Sequence, residues 1–127
     1  KAGEYIYSTF LSPHQTGVAL ASIDVVRNAH EKRESLKLLS RWLRNRLSEY
    51  IDVQTNYNTP IIPLIVGSND SALQLQRLFL NNDIIVGAVR PPTVPRGSSR
   101  IRLSLNSELS KEKLEPLISI VKEWSKK

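Results

Sequence analysis

The sequence predicts a compact α/β chain, a small sheet with helices packed on one face and a helical segment leading into it. Three features predict it. Apolar residues recur at three- to four-residue spacing through residues 14–50. Two short apolar runs, at 61–66 and 84–89, are bracketed by turn-forming residues. The stretch from Arg100 to Leu105 alternates strictly, with Ile101, Leu103 and Leu105 on one side and Arg100, Arg102 and Ser104 on the other.

Taken in order, residues 1–13 alternate aromatic and hydroxyl side chains and stop at Pro13, which reads as an extended lead-in. Val18, Ala21, Val25 and Ala29 then keep a helical rhythm, and Leu36, Leu39, Leu43, Leu47 and Tyr50 form a stronger stripe. The two read either as one long helix or as a bent pair, and since no proline separates them a nearly continuous helical segment over 14–50 is favoured. Residues 52–59 are rich in turn formers. The run Ile61-Ile62-Pro63-Leu64-Ile65-Val66 reads as a strand closed by Gly67, and Pro63 places it at a sheet edge or at a bulge. Ser68, Asn69 and Asp70 offer caps for a helix whose inner face is Ala72, Leu75, Leu78 and Phe79, and Asn81, Asn82 and Asp83 end it. Residues 84–89 form the second expected strand. The ten residues that follow hold three prolines and a glycine between Arg90 and Ser99, a stiff loop. The last helix carries Leu114, Leu117, Ile120, Val121 and Trp124 on one side. Pro116 is awkward within it, so the helix either starts later than Ser110 suggests or bends.

Composition narrows the chemistry. A chain of 127 residues fits one domain with a real core. Without cysteine there is no disulfide, thiolate metal site or cysteine nucleophile. There is no methionine even at position 1, so the chain is expected to be a piece of something longer. No apolar run reaches the ~18–20 residues of a membrane span, and the first residues lack a secretory pattern. His14 and His30 have no acidic or cysteine neighbours at metal-ligand spacing, so no metal is expected. A G-x-S-x-G elbow and a glycine-rich phosphate loop are both missing.

Charge leaves two questions open. Residues 27–46 hold seven basic and two acidic side chains, most of the net +6. Arg33, Lys37, Arg41 and Arg44 share one stripe of the helical wheel. That stripe reads either as a phosphate-tracking surface on a basic nucleic-acid-binding module or as the solvated back of an amphipathic helix, with Glu34 and Lys37 as an ion pair. Arg100 and Arg102 pose the second question. Arginine presents a planar fork that grips a carboxylate through two parallel charge-assisted hydrogen bonds, and a strand is a firm platform for such a grip. The bland reading of the pair is two solvent-facing arginines.

The strings Ile85-Val86-Gly87-Ala88-Val89-Arg90-Pro91-Pro92-Thr93-Val94-Pro95-Arg96-Gly97 and Arg100-Ile101-Arg102-Leu103-Ser104-Leu105 resemble the C-terminal signature of the pyridoxal-phosphate-dependent α-oxoamine synthases. Two further segments agree, Tyr5-Ile6-Tyr7-Ser8-Thr9 followed by Pro13, and Ile62-Pro63-Leu64-Ile65-Val66-Gly67. The Arg-Pro-Pro-Thr-Val-Pro string resembles most the branch that joins L-alanine to a pimeloyl thioester in biotin biosynthesis. Branches of the glycine acetyltransferase or 5-aminolevulinate synthase type are the alternative. The resemblance implies a C-terminal small domain of a fold-type I pyridoxal-phosphate (PLP) enzyme, with a mainly antiparallel sheet. It divides the chain into a lead-in at 1–13 from a missing large domain, a connecting helical segment at 14–50 and the small domain at 51–127. It further implies a cytoplasmic homodimer that binds neither nucleic acid nor membrane. By the same resemblance Arg102 holds the amino acid's carboxylate, Thr93 contacts substrate, and Ser8 and Thr9 reach the cofactor phosphate from the neighbouring subunit. The Schiff-base lysine of the family lies upstream of Lys1, so no catalytic residue is expected in this chain, and the fragment alone is expected to be inactive.

Overall fold

The computed structural model describes residues 12–53, 55 and 58–126. The lead-in expected at 1–13, with Ser8 and Thr9, therefore lies outside the described residues up to position 11. The chain divides into two compact units, residues 1–32 and 33–127.

The first unit contains α1, Pro13–Asn28. Proline suits the first helical position because its missing N–H would have no partner there. Ser12 caps it: its hydroxyl accepts from the Gln15 N–H at 3.2 Å, and Gln15 Oε1 accepts from the Ser12 N–H at 3.0 Å. The helix buries none of its side chains, and Val18, Leu20, Ile23, Val25 and Val26 are all exposed. At Ala29 the backbone leaves helical geometry (φ −90°, ψ 33°), and α2 follows over His30–Leu47. The helical segment is thus two helices interrupted at one residue. Alanine is the best of helix formers, so no residue type announces the break.

In the second unit the sheet has three strands: β1 (Ile61–Gly67), β2 (Gly87–Val89) and β3 (Ser99–Ser104). Their order is β1–β3–β2, with both pairings antiparallel. β1 is an edge strand, which is where Pro63 can forgo a ladder hydrogen bond. At its end Gly67 adopts φ 80°, a turn that favours glycine, and leads directly into α3, Asn69–Leu80. Ser68 caps α3 by accepting from the Ser71 N–H at 3.0 Å. Buried Ser99, the first residue of β3, donates to Asn69 Oδ1 at 2.7 Å and ties the central strand to this helix start.

Helix α4 spans Lys111–Trp124. It starts immediately after Ser110, so the delayed start that Pro116 invited does not occur. Pro116 is accommodated inside the helix at an exposed position. Ile62 and Leu64 of β1 and Ile101 and Leu103 of β3 are buried in one cluster with Leu43 and Leu47 of α2, Leu75 and Phe79 of α3, and Leu114, Leu117 and Val121 of α4. This is the small antiparallel sheet covered by helices on one face that the alternation at 100–105 required.

One strand is shorter than its sequence suggests. Residues 84–86 are apolar but do not join β2, and Ile85 is 90% exposed. Asp83 turns the chain in the left-handed region (φ 59°) just before them. The Val86 carbonyl accepts from Gln76 Nε2 of α3 at 3.0 Å, so a helix side chain serves the backbone there. A short-chain aspartate tolerates φ 59°, whereas a β-branched residue does not. Asp83→Val is expected to destabilise the fold by about 1–2 kcal/mol, and Asp83→Gly to cause no such loss; urea unfolding of the two variants checks this.

Candidate functional site

The expected carboxylate-binding residue sits on the central strand. Because Ile101 and Leu103 are buried in the core, Arg102 between them points to the opposite face of the sheet, where it is exposed. Its cross-strand neighbours are Pro63 on β1 and Gly87 on β2. The side chain leans towards Gly87: a Cβ built there would lie 3.6 Å from Arg102 Nε and 3.7 Å from Nη2. Among the described residues the guanidinium has no hydrogen-bond or ion-pair partner. A charged fork with its donors unclaimed, on a strand pinned by two neighbours, is ready for a planar anion.

Arg100 shares that face, roughly 6.7 Å along the strand from Arg102, opposite Ile65 and Val89. It is half-buried, and its Nε donates to the Ser98 carbonyl at 3.0 Å. One donor of its fork therefore serves the chain itself, which distinguishes it from Arg102. Thr93 lies in the 90–98 loop that joins β2 to β3. It is exposed, and its N–H donates to the Arg90 carbonyl at 3.0 Å, closing a turn. That loop leaves β2 at the Arg100 end of the sheet, so Arg100 stands nearer to it along β3 than Arg102 does. Ser8 and Thr9 lie outside the described residues.

The basic stripe of α2 does not survive as a single surface. Arg44, one of its four members, is only 1% exposed. Its Nη2 donates to the Ile61 carbonyl at 2.6 Å, to Thr59 Oγ1 at 3.2 Å and to the Thr59 carbonyl at 3.3 Å. Burial pulls its pKa down from the ordinary arginine value. Lys37 pairs with Glu34 at 2.7 Å, as the spacing suggested, and Arg41 reaches Asn58 Oδ1. The wheel misplaces Arg44 because a helical projection cannot show that the chain entering β1 passes beside that position.

Two features escaped sequence reasoning. Arg44 carries no local mark of burial. Gly87 did have one, since an isolated glycine in an apolar strand pattern signals a close approach of another group. Among the described residues no three His, Cys, Asp or Glu side chains could hold a metal ion. No described helix is long and apolar enough to cross a membrane. The groove of about 500 Å³ between α2 and residues 106–111 is lined by Leu36, Leu39 and Leu109 with serines and Lys111, and includes neither Arg102 nor Thr93. The chemistry singles out the sheet face instead.

Comparison with known proteins agrees with the motif at 85–105. The family model for aminotransferase class I and II matches residues 2–121. The chain is 36% identical over 125 residues to the 8-amino-7-oxononanoate synthase of Lysinibacillus sphaericus, covering 98% of this chain and 32% of that protein. It is 37% identical over 119 residues to the enzyme of the same name from Pseudomonas fluorescens, covering 93% of this chain and 30% of that protein. The chain thus spans about a third of the length of these relatives. Its fold superposes with a TM-score of 0.83 on a variant of serine palmitoyltransferase from S. paucimobilis with a bound PLP–myriocin aldimine, at 23% identity and covering 94% of this chain and 31% of that one. The α/β architecture is therefore that of part of a fold-type I PLP enzyme. By its sequence over nearly its whole length, the chain belongs to the aminotransferase class I and II family.

Proposed function

We propose that this chain is the C-terminal part of an 8-amino-7-oxononanoate synthase, which condenses L-alanine with a pimeloyl thioester and releases carbon dioxide and the thiol carrier. Two kinds of support converge, the similarity to relatives of that name and the chemistry of the sheet's open face. The single observation that carries the site is Arg102 of the central strand β3, whose unclaimed guanidinium lies across Gly87 of β2.

The donors described here fit the amino-acid substrate. PLP, when bound, supplies an electron sink for the carbanion at the α-carbon of alanine. Arg102 binds the alanine carboxylate through its two parallel N–H donors and fixes how the α-carbon is presented. Its strand position limits drift of that grip, since β3 is hydrogen-bonded on both sides. Thr93 offers a hydroxyl from the proline-stiffened loop to the substrate. Ser8 and Thr9 serve as neutral donors to the cofactor phosphate of the neighbouring subunit in a cytoplasmic homodimer. The lysine that would hold PLP lies in the remainder of the enzyme, and residues 1–13, 14–50 and 51–127 act as lead-in, connector and small domain.

The complete enzyme is expected to form the amino-ketone from L-alanine and a pimeloyl thioester, followed by mass spectrometry. The 127-residue chain alone is expected to form none and to show no cofactor absorbance that borohydride makes permanent. Preference for glycine with an acetyl or succinyl thioester would assign the chain to another branch. Turnover by the 127-residue chain would mean that the catalytic apparatus lies within it.

A further inference from the structure

We infer that Gly87 is a positioning residue that keeps Arg102 loosely held, and so sets the affinity of the site for the amino acid's carboxylate. The inference rests on the reading of Arg102 as the carboxylate ligand. Gly87 and Arg102 are directly paired across β2 and β3, so the residue opposite the arginine on this flank has no side chain to pack against it. The three heavy atoms nearest to a Cβ at position 87 would all belong to Arg102, Nε at 3.6 Å, Nη2 at 3.7 Å and Cβ at 3.9 Å. All three are ordinary contact distances, so a methyl there would pack along the arginine stem and the edge of the fork without displacing either. The backbone allows it: among the described glycines Gly67 and Gly97 have positive φ, and Gly87 is a regular strand residue.

Arginine is among the costliest side chains to order, and among the described residues Arg102 has no hydrogen bond that orders it in advance. Binding a carboxylate must therefore immobilise it, and that cost is subtracted from the affinity. Glycine at 87 leaves the whole of this cost to the substrate. Alanine would meet part of it beforehand.

In the complete holoenzyme, Gly87→Ala is expected to lower the KM for L-alanine by about two- to fivefold, with the KM for the acyl thioester unchanged. The gain must vanish when Arg102→Ala is added. An alanine KM that is unchanged or raised overturns the inference. So does a gain that persists without Arg102, which would reflect general strand stabilisation. Should Arg102→Ala alone leave the alanine KM unchanged, the carboxylate role of Arg102 falls. The hold of position 87 on Arg102 is then decided by crystal structures of the parent and Gly87→Ala enzymes. A more ordered Arg102 side chain in the variant supports that hold, and an equally spread one overturns it.

Discussion

Arg102→Ala in the complete enzyme is expected to weaken L-alanine binding by about 2–4 kcal/mol, the loss of a charge-assisted pair. That corresponds to roughly 30- to 700-fold in affinity. The size follows from what the fork does. Both its donors are unclaimed among the described residues, so nothing within this part of the fold has to be broken before they engage a carboxylate. Arg102→Lys keeps the charge but replaces two parallel bonds by a point contact, and should fall between the parent and alanine. Because β3 is flanked by two strands and Arg102 is exposed, truncation should leave the fold intact. The measurements are the Michaelis constant for alanine and, as a control, thermal unfolding. An unchanged constant for alanine removes Arg102 from this role. A loss confined to the acyl thioester would move it to the other substrate.

The second large effect is on stability. Arg44→Ala is expected to cost about 3–5 kcal/mol, from the cavity left by a long buried side chain and from carbonyls stripped of a charged donor. The Ile61 carbonyl would keep the Thr59 hydroxyl at 3.0 Å, which prevents a still larger loss. The Thr59 carbonyl would keep the Ser40 hydroxyl at 2.6 Å. What disappears is the cation that ties α2 to the point where the chain enters β1. Arg44→Lys should recover only part of the loss, since a single ammonium cannot span Ser40, Thr59 and Ile61 as the fork does. Denaturant unfolding with an unchanged m-value checks it. A cost under 1 kcal/mol for Arg44→Ala would show that the buried fork is dispensable. The same residue bears on the nucleic-acid alternative. A phosphate-tracking stripe would lose one of its four charges to the protein interior, and Lys37 and Arg41 already contact Glu34 and Asn58.

Much of the fold was legible because the informative patterns are local. Alternation at 100–105 located the buried and open faces of β3 from side-chain period alone. Pro63 announced an edge position or a bulge, because a residue without an N–H is poorly suited to the regular ladder of a central strand, and β1 is an edge strand. Helix chemistry and period narrowed the cap to Ser68, Asn69 or Asp70, of which the structure uses Ser68, and gave an inner face of Ala72, Leu75, Leu78 and Phe79, of which Ala72, Leu75 and Phe79 are fully buried. Residues 84–86 misled for the same reason. Their apolar character is what a strand and a partly covered extended segment have in common, and the left-handed turn at Asp83 is decided by backbone geometry that an aspartate merely permits.

The sequence by itself determined the element types, the side of β3 on which Arg102 stands, and the motif that points to the family. Those depend on spacing along the chain, which folding does not alter. Only the tertiary structure decided that Arg44 leaves the basic stripe for the interior, that the helical segment breaks at Ala29, and that Gly87 lies beneath Arg102. Burial of Arg44 and the seat of Arg102 are set by contacts between residues 15 or more positions apart, through strand register and helix docking. No local pattern encodes a cross-strand neighbour, because pairing is chosen by how the whole sheet buries its apolar face.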